Sequence, residues 1–274
     1  MFSEGYVQRY RSIDGVGNVK FQGRSISVGK AKGEVIKLDE PLSFLGGVDG
    51  STGELRVKEG NVSGKILVFP KGKGSTVGSF VMYDLMVHGK APAAVINESA
   101  ETIVATGAVI SSIPMIDQIP SVRLFEDGDI VTVDGNEGTV EIEGIIYKEV
   151  VSSVVSKDGK CILEKRFDTS HSYPGCWSLV AGKIEEGETP VQAAKREILE
   201  ETGIEVGEPL GQMDPLYVRE GKVLFKVYPF HFDSKGKEPV LNEENEKYIW
   251  ASIEDAKGLK TVSDTVLVMT HFLG

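Results

Sequence analysis

The chain has 274 residues, 41% of them hydrophobic and 26% charged, and a net charge of −11. That length suits two domains of ordinary size better than one, and the acidity, shared by both halves, excludes a protein built to grip duplex nucleic acid. No apolar run approaches the roughly 18 residues that cross a bilayer. The opening MFSEGYVQRYRSIDG has no basic stretch followed by an apolar one, so a signal peptide is not expected and the cytoplasm is the expected compartment.

From Lys20 to about Glu143 short apolar runs alternate with Gly, Asp and Asn turns. Lys65–Pro70, Ala91–Asn97 and Asp129–Val133 read as strands. Asp134–Gly138 (DGNEG) is a tight-turn signal that returns the chain into a partner strand at Thr139–Ile142. A helix is predicted over Ser79–His88, where Phe80, Tyr83, Leu85 and Met86 recur at roughly helical spacing, and a weaker one over Ala100–Ala108. The loop Lys71–Gly78 (KGKGSTVG) enters the first of these helices, and its backbone N–H groups suit an anion. It lacks the Gly-Lys-[Ser/Thr] arrangement of a Walker loop.

A domain boundary is expected at Ile145–Glu149, dividing the chain into residues 1–145 and 146–274. Beyond it, strands are predicted at Val150–Val155 and Cys161–Arg166, joined by an Asp158-Gly159 turn. A long helix should run from Pro190, which costs nothing in a first turn, to Thr202, with Gly203 as its stop. Strands at Leu216–Val218, Val223–Phe232 and Tyr248–Ala251 and a last helix near Asp264–Phe272 follow. The two cysteines, Cys161 in an apolar run and Cys176 in a loop, cannot by themselves hold an iron–sulfur cluster or a Cys₄ metal site. The four histidines are scattered without ligand spacing.

The segment that carries chemistry is Gly182–Ile204, GKIEEGETPVQAAKREILEETGI. Glu197, Glu200 and Glu201 fall at i, i+3 and i+4, so they share one helix face. Carboxylates so crowded repel one another, and a divalent cation relieves the repulsion. Mg²⁺ takes carboxylate oxygens while sharing phosphate oxygens with a substrate. On the other side Ala193, Ala194, Ile198 and Leu199 offer an apolar stripe for a sheet.

The same segment resembles the Nudix box at every defined position: Gly182, five residues, Glu188, seven residues, Arg196-Glu197-Ile198, then Glu200-Glu201 and Gly203-Ile204. The resemblance implies a hydrolase of diphosphate linkages using Mg²⁺ or Mn²⁺. Glu200 and Glu201 match the main metal ligands, and Glu197 a further ligand or the group that helps deprotonate the attacking water. The Gly182 carbonyl matches a backbone ligand, and Glu188 with Arg196 a structural pair. In Asn242–Trp250 (NEENEKYIW) Glu244 matches an extra ligand or general base, with Glu243 and Glu246 as alternatives. Arg166 is either a phosphate contact or a surface arginine. Isopentenyl diphosphate isomerases share this fold but use a catalytic cysteine and a degenerate box; here the box is intact and the corresponding place reads Leu179-Val180-Ala181.

In the first half, Gly23-Arg24, Gly29–Gly33, Phe44–Asp49 (FLGGVD), Lys65–Gly78 and Ala91–Asn97 together resemble the small subunit of archaeal-type phosphomevalonate dehydratase, an aconitase X swivel domain. In aconitase-like enzymes a serine alkoxide in this loop takes the substrate proton, and Ser75 matches it. Such a serine needs cationic neighbours, either Lys71 and Lys73 or arginines from a partner. The resemblance implies dehydration of mevalonate 5-phosphate together with a separate large subunit carrying the iron–sulfur cluster. A swivelling phosphohistidine domain does not match, since Lys71–Gly78 has no histidine.

The fold expected is therefore α/β: an N-terminal swivelling β/β/α domain followed by a Nudix α/β/α sandwich. The first domain is either active, a retained scaffold, or a binding and regulatory module for the hydrolase. The box leaves the diphosphate substrate open, from nucleoside triphosphates, ADP-ribose and dinucleotides to isoprenoid diphosphates. No membrane partner is expected, and a homodimer stays open.

Overall fold

A computed structural model describes residues 8–10, 16–170, 172–243 and 245–274. The chain divides into two compact units. One comprises Met1–Tyr147 with Arg219–Leu224, the other Lys148–Val218 with Phe225–Gly274.

The first unit is organised around the strand Lys30–Lys37, which belongs to two kinds of sheet at once. On one side it pairs antiparallel with Ile130–Asp134, which pairs with Thr139–Lys157, which in turn pairs with Val16–Gln22. On the other it runs parallel to Ile66–Phe69, followed by Ala94–Asn97 and Met115–Asp117, also parallel, with Arg24–Ser27 antiparallel at the edge. Parallel strands need crossovers, and the helices Val77–Val87 and Thr102–Ile110 supply them. Buried on both faces, Ile66–Phe69 and Ala94–Asn97 are inaccessible at every residue, which explains their unbroken apolar runs. The polar exception, Asn97, donates its side-chain amide to the Phe69 and Ile96 carbonyls at 2.7 and 3.0 Å.

Two features go beyond or against the sequence expectations. The helix Val77–Val87 buries Gly78, Ser79, Met82 and Leu85, whereas Phe80 is 67% and Tyr83 45% exposed. Its neighbour packs at Gly107, where an added Cβ would stand 2.5 Å from the Met82 sulfur, so the small residues and not the aromatics set the inner face. Second, the strands expected on either side of Ile145–Glu149 are one continuous strand, Thr139–Lys157. The partners change along it, Val16–Gln22 as far as Ile146 and Val180–Lys183 from Val150 onward.

The second unit is a sheet covered on both faces. Alternate residues of a strand point to opposite sides. Val151 and Val155 pack with Ile162, Val180, Phe230 and Phe232 against Ala193, Ala194 and Ile198 of the helix Pro190–Thr202. Val154, Cys161, Leu163 and Leu179 pack on the other face with Ala256, Val268 and Met269 of the helices Ile253–Lys257 and Thr265–Leu273. This is the α/β/α sandwich. Cys161 and Cys176 are both buried and unbridged, and burial pushes the Cys161 thiol up to about 12. Among the described residues no helix is long and apolar enough to cross a membrane.

Candidate active site

The helix Pro190–Thr202 is fixed by its own sequence. Thr189 accepts from the Gln192 N–H at 3.3 Å while Gln192 accepts from the Thr189 N–H at 2.9 Å, a reciprocal cap. Pro190 opens the first turn, and Gly203 closes the last one in the left-handed region at φ 66° with its N–H on the Leu199 carbonyl. The loop before it is tied down by Arg196. Its guanidinium donates to both oxygens of Glu188, at 2.8 and 3.0 Å, and to the Lys183 carbonyl at 2.8 Å. Glu188 also accepts from the Glu185 N–H at 2.9 Å. The Arg196 hydrogen bonds, with that backbone N–H, hold the Glu188 carboxyl down at about 2. Its charged partners, Glu188 foremost, hold the Arg196 guanidinium firmly protonated.

The third edge of this guanidinium faces the acidic stripe. One Arg196 nitrogen, Nη1, donates to Glu197 at 2.8 Å and to Glu200 at 3.1 Å, so these two carboxylates converge on a single cationic atom. The Glu197 carboxylate lies directly over Gly182: a Cβ built there would fall 1.8–2.2 Å from its carboxyl atoms. Only glycine leaves that space open. Glu201 turns inward, 5% exposed, and its Oε2 accepts from the Ala181 N–H at 3.4 Å. Glu200 stands at the rim with its side chain 55% exposed. Among the described residues no group of three or more His, Cys, Asp or Glu side chains closes into a metal shell; two of the three glutamates are turned to Arg196 and the third to the strand. The donor set nevertheless suits a hard cation, since it consists of carboxylates beside a glycine backbone that a side chain would obstruct.

Glu244 lies outside the described residues. Of its alternatives, Glu243 is exposed and Glu246 is engaged by Lys165 at 2.6 Å. Arg166 donates to the Ser172 carbonyl at 3.0 Å and to its hydroxyl at 3.4 Å. Two features escaped the sequence reading. Glu164 is 1% exposed and accepts from the buried Asn245 amide at 2.9 Å; the signal was an acid directly following the apolar run Cys161–Leu163. Glu149 accepts from the Tyr228 hydroxyl at 3.1 Å, a pairing that nothing local announces.

In the first unit Ser75 is exposed in the loop ahead of the helix Val77–Val87, with Lys71 and Lys73 exposed nearby. Its hydroxyl accepts from the Val77 N–H at 3.3 Å. Gly74 has φ 106°, and a Cβ there would meet the Ser43 hydroxyl at 2.7 Å. Arg24 grips Asp117 with two bonds of 2.9 and 2.7 Å, and Asp117 accepts the Ala100 N–H at 2.9 Å.

The family model for the aconitase X swivel domain matches residues 20–142. A phosphomevalonate dehydratase small subunit of Thermococcus onnurineus is 52% identical over 130 residues, 46% of this chain and 99% of the relative. The protein of the same name from Methanosarcina mazei is 50% identical over 132 residues, 45% of this chain and 91% of the relative. The chain belongs to the phosphomevalonate dehydratase small subunit family. This family likeness occupies the first part of the chain. Residues 147–269 match the NUDIX domain model, so the small-subunit-like part is joined to a Nudix hydrolase domain and the protein is an enzyme. Among solved structures, Thermococcus kodakaraensis aconitase X in its holo form is 54% identical, covering 45% of this chain and 97% of that one with a TM-score of 0.44. The MutT protein of Methanosarcina mazei is 25% identical, covering 46% and 92% with a TM-score of 0.40.

Proposed function

We propose that the Nudix domain is a Mg²⁺-dependent hydrolase, with Mn²⁺ as substitute, acting on the diphosphate linkage of a nucleoside diphosphate-X or related compound. The observation that carries this reading is the Glu197 carboxylate lying on Gly182 beside Glu200, both drawn to Arg196 Nη1. Glu200 and Glu201 are the main ligands in this reading, with Glu197 and the Gly182 carbonyl completing the set. A bound divalent cation supplies Lewis acidity towards phosphate oxygens and water. The chain's own residues do the rest. Arg196 and Glu188 hold the loop and helix in register, and the missing side chain at Gly182 lets the Glu197 carboxylate lie against the backbone. Glu197 or Glu244 receives the proton of the attacking water. Glu200→Gln and Glu201→Gln should each abolish Mg²⁺-dependent release of monophosphate products, followed by phosphorus NMR across a substrate panel; full activity in both would remove the metal assignment.

The first unit, by its likeness to proteins named phosphomevalonate dehydratase small subunit, is read as the small subunit of a dehydratase acting on mevalonate 5-phosphate. Ser75 is the proposed base, and a separate large subunit carries the iron–sulfur cluster. Lys71, Lys73 or arginines of that partner would stabilise the alkoxide. Supporting a partner is the apolar face that follows Ser75: Val77, Phe80, Tyr83 and Val87 are 44%, 67%, 45% and 60% exposed. Apolar residues grouped on one helix face mark interaction sites more often than free surface, and the large subunit is the occupant assigned to it. Co-purification with that subunit, and dehydratase activity lost in Ser75→Ala, test this half.

A further inference from the structure

Glu200 and Glu201 stand at an unfavourable end of their helix. Both lie in the last turn of Pro190–Thr202, which carries no basic residue. Negative charge there faces the negative end of the helix dipole, and the two acids repel one another. Arg196 offsets part of this for Glu200 from the turn before. The final carbonyls of a helix also lack partners within it, so such an end frays unless something outside holds it. The stretch Ser234–Asn242 does so. The Val240 N–H donates to the Thr202 carbonyl at 2.8 Å, and the Asn242 N–H to the Glu201 carbonyl at 3.3 Å. Val240 also lies against the helix stop, its Cβ 3.7 Å from where a Gly203 Cβ would stand.

The side chain that ties this stretch to the sheet is Glu238. Val240 is 75% exposed, so its own side chain does not anchor it. The stretch begins where the Ser234 N–H meets the Ser156 carbonyl at 3.0 Å, and Pro239 is buried. Between those points the Glu238 carboxylate forks. One oxygen takes the Lys157 ammonium at 2.6 Å, and the other takes the Trp250 indole N–H at 2.8 Å. Lys157 stands over the same indole, 5.7 Å from the ring centroid. Lys157 and Trp250 belong to two strands that both pair with Lys160–Arg166. The Trp250 ring packs on the core that Ala193, Ala194 and Ile198 of the box helix share. The fork therefore joins the stretch over the helix end to the sheet beneath the helix.

Resting on the hydrolase reading above, we infer that Glu238 is a positioning residue of the Nudix site. By tying Ser234–Asn242 to the sheet it keeps the last turn of the box helix closed, and so presents Glu200 and Glu201 to a divalent cation. Two measurements on the full chain test this without turnover: Mn²⁺ titration followed by electron paramagnetic resonance, and amide hydrogen exchange of the metal-free protein followed by NMR. Glu238→Ala should weaken Mn²⁺ uptake about fivefold and speed exchange of the Val240 and Asn242 amides by a similar factor; the fork is more than half exposed, which keeps the effect modest. Trp250→Phe keeps a ring and loses the indole donor, and should shift both readings by about twofold. Glu238→Gln keeps an acceptor for the indole and should recover most of the wild-type behaviour. Glu208→Ala breaks an exposed 2.7 Å ion pair to Lys195 of the same helix and should move neither reading. In hydrolysis, Glu238→Ala should raise the Mn²⁺ concentration needed for half-maximal rate, while kcat at saturating Mn²⁺ stays within about twofold of wild type. If the wild-type chain takes up no Mn²⁺, the hydrolase reading fails and this inference with it. If the wild type takes up Mn²⁺ and Glu238→Ala binds it as tightly, or if the two amides exchange no faster in that variant, the positioning role is overturned and the hydrolase reading stands.

Discussion

Two glycine-bearing loops lead into helices in this chain, and they differ in how much of a site each contains. The Gly182–Thr189 loop is closed by its own unit. Arg196 reaches Glu188, the Lys183 carbonyl, Glu197 and Glu200 at once, and the helix it enters is reciprocally capped. The Lys71–Thr76 loop enters a helix whose N-cap residue, Thr76, makes no side-chain cap bond, with Ser75 and both lysines exposed. The helix behind it then turns Phe80 and Tyr83 outward. A site whose charges are already paired within the unit can act alone. A site with an exposed proposed base beside an apolar face needs something else laid over it.

The two sites should part most decisively at the acids of the helix Pro190–Thr202. Replacing Glu201, 5% exposed and bonded to the Ala181 N–H, by Gln should cost on the order of 10³-fold in hydrolysis, because a metal and its ligands stabilise the charge that develops on a phosphoryl group more than any other part of such a site does. Steady-state hydrolysis with and without added Mn²⁺ reads this, and dehydratase activity measured with a large subunit should not change. The reciprocal variant, Ser75→Ala, should lower dehydration by roughly 10²-fold or more if Ser75 is the base, while hydrolysis stays at the wild-type rate. Cross-effects in either direction would mean the two sites are not independent.

A smaller effect is expected at the apolar face. Phe80→Glu leaves the interior intact, since the ring is 67% exposed, and so should change the melting temperature little. It should nevertheless weaken association with a large subunit by about tenfold or more, as truncating an aromatic anchor does at interfaces. A pull-down titration measures this. Unaltered association would move the contact surface elsewhere.

Which parts of this molecule could be read in advance follows from the range of the forces that set them. The helix Pro190–Thr202 has the bounds expected of it because Pro190 and Gly203 act within a turn of where they sit. The placing of Glu197, Glu200 and Glu201 on that helix follows from the same bounds. The strands Val16–Gln22, Arg24–Ser27 and Lys30–Lys37 were not, because they mix Lys, Gln, Ser and Gly into short runs and owe their state to distant partners such as Thr139–Lys157 and Met115–Asp117. The buried face of Val77–Val87 was not legible for another reason: helical spacing records that residues are apolar, not whether a core or another chain covers them. The Glu149–Tyr228 pair joins residues 79 apart, a contact that only the folded sheet creates.

The smallest effect expected concerns acid. The Glu188 carboxyl is held at about 2 against an ordinary 4.5, first by the Arg196 hydrogen bonds and then by the Glu185 N–H. A carboxyl whose folded value is depressed stabilises the fold above its unfolded pKa and loses that contribution as pH falls towards the folded value. The window for Glu188 therefore opens near 4.5 and closes near 2. In the first unit Asp49 is likewise held well below its ordinary range, chiefly by the Ser51 hydroxyl and Arg56, with the Ser51 and Thr52 N–H groups adding to it. Glu188→Gln should therefore flatten the fall in melting temperature between about pH 5 and 2.5 for the second unit alone, and Asp49→Asn for the first alone. Because exposed pairs contribute modestly, each change should amount to no more than a few degrees. Equal flattening of both transitions by either variant would show that the units melt as one cooperative body, and would replace the contrast between a self-sufficient site and a dependent one with a single shared stability.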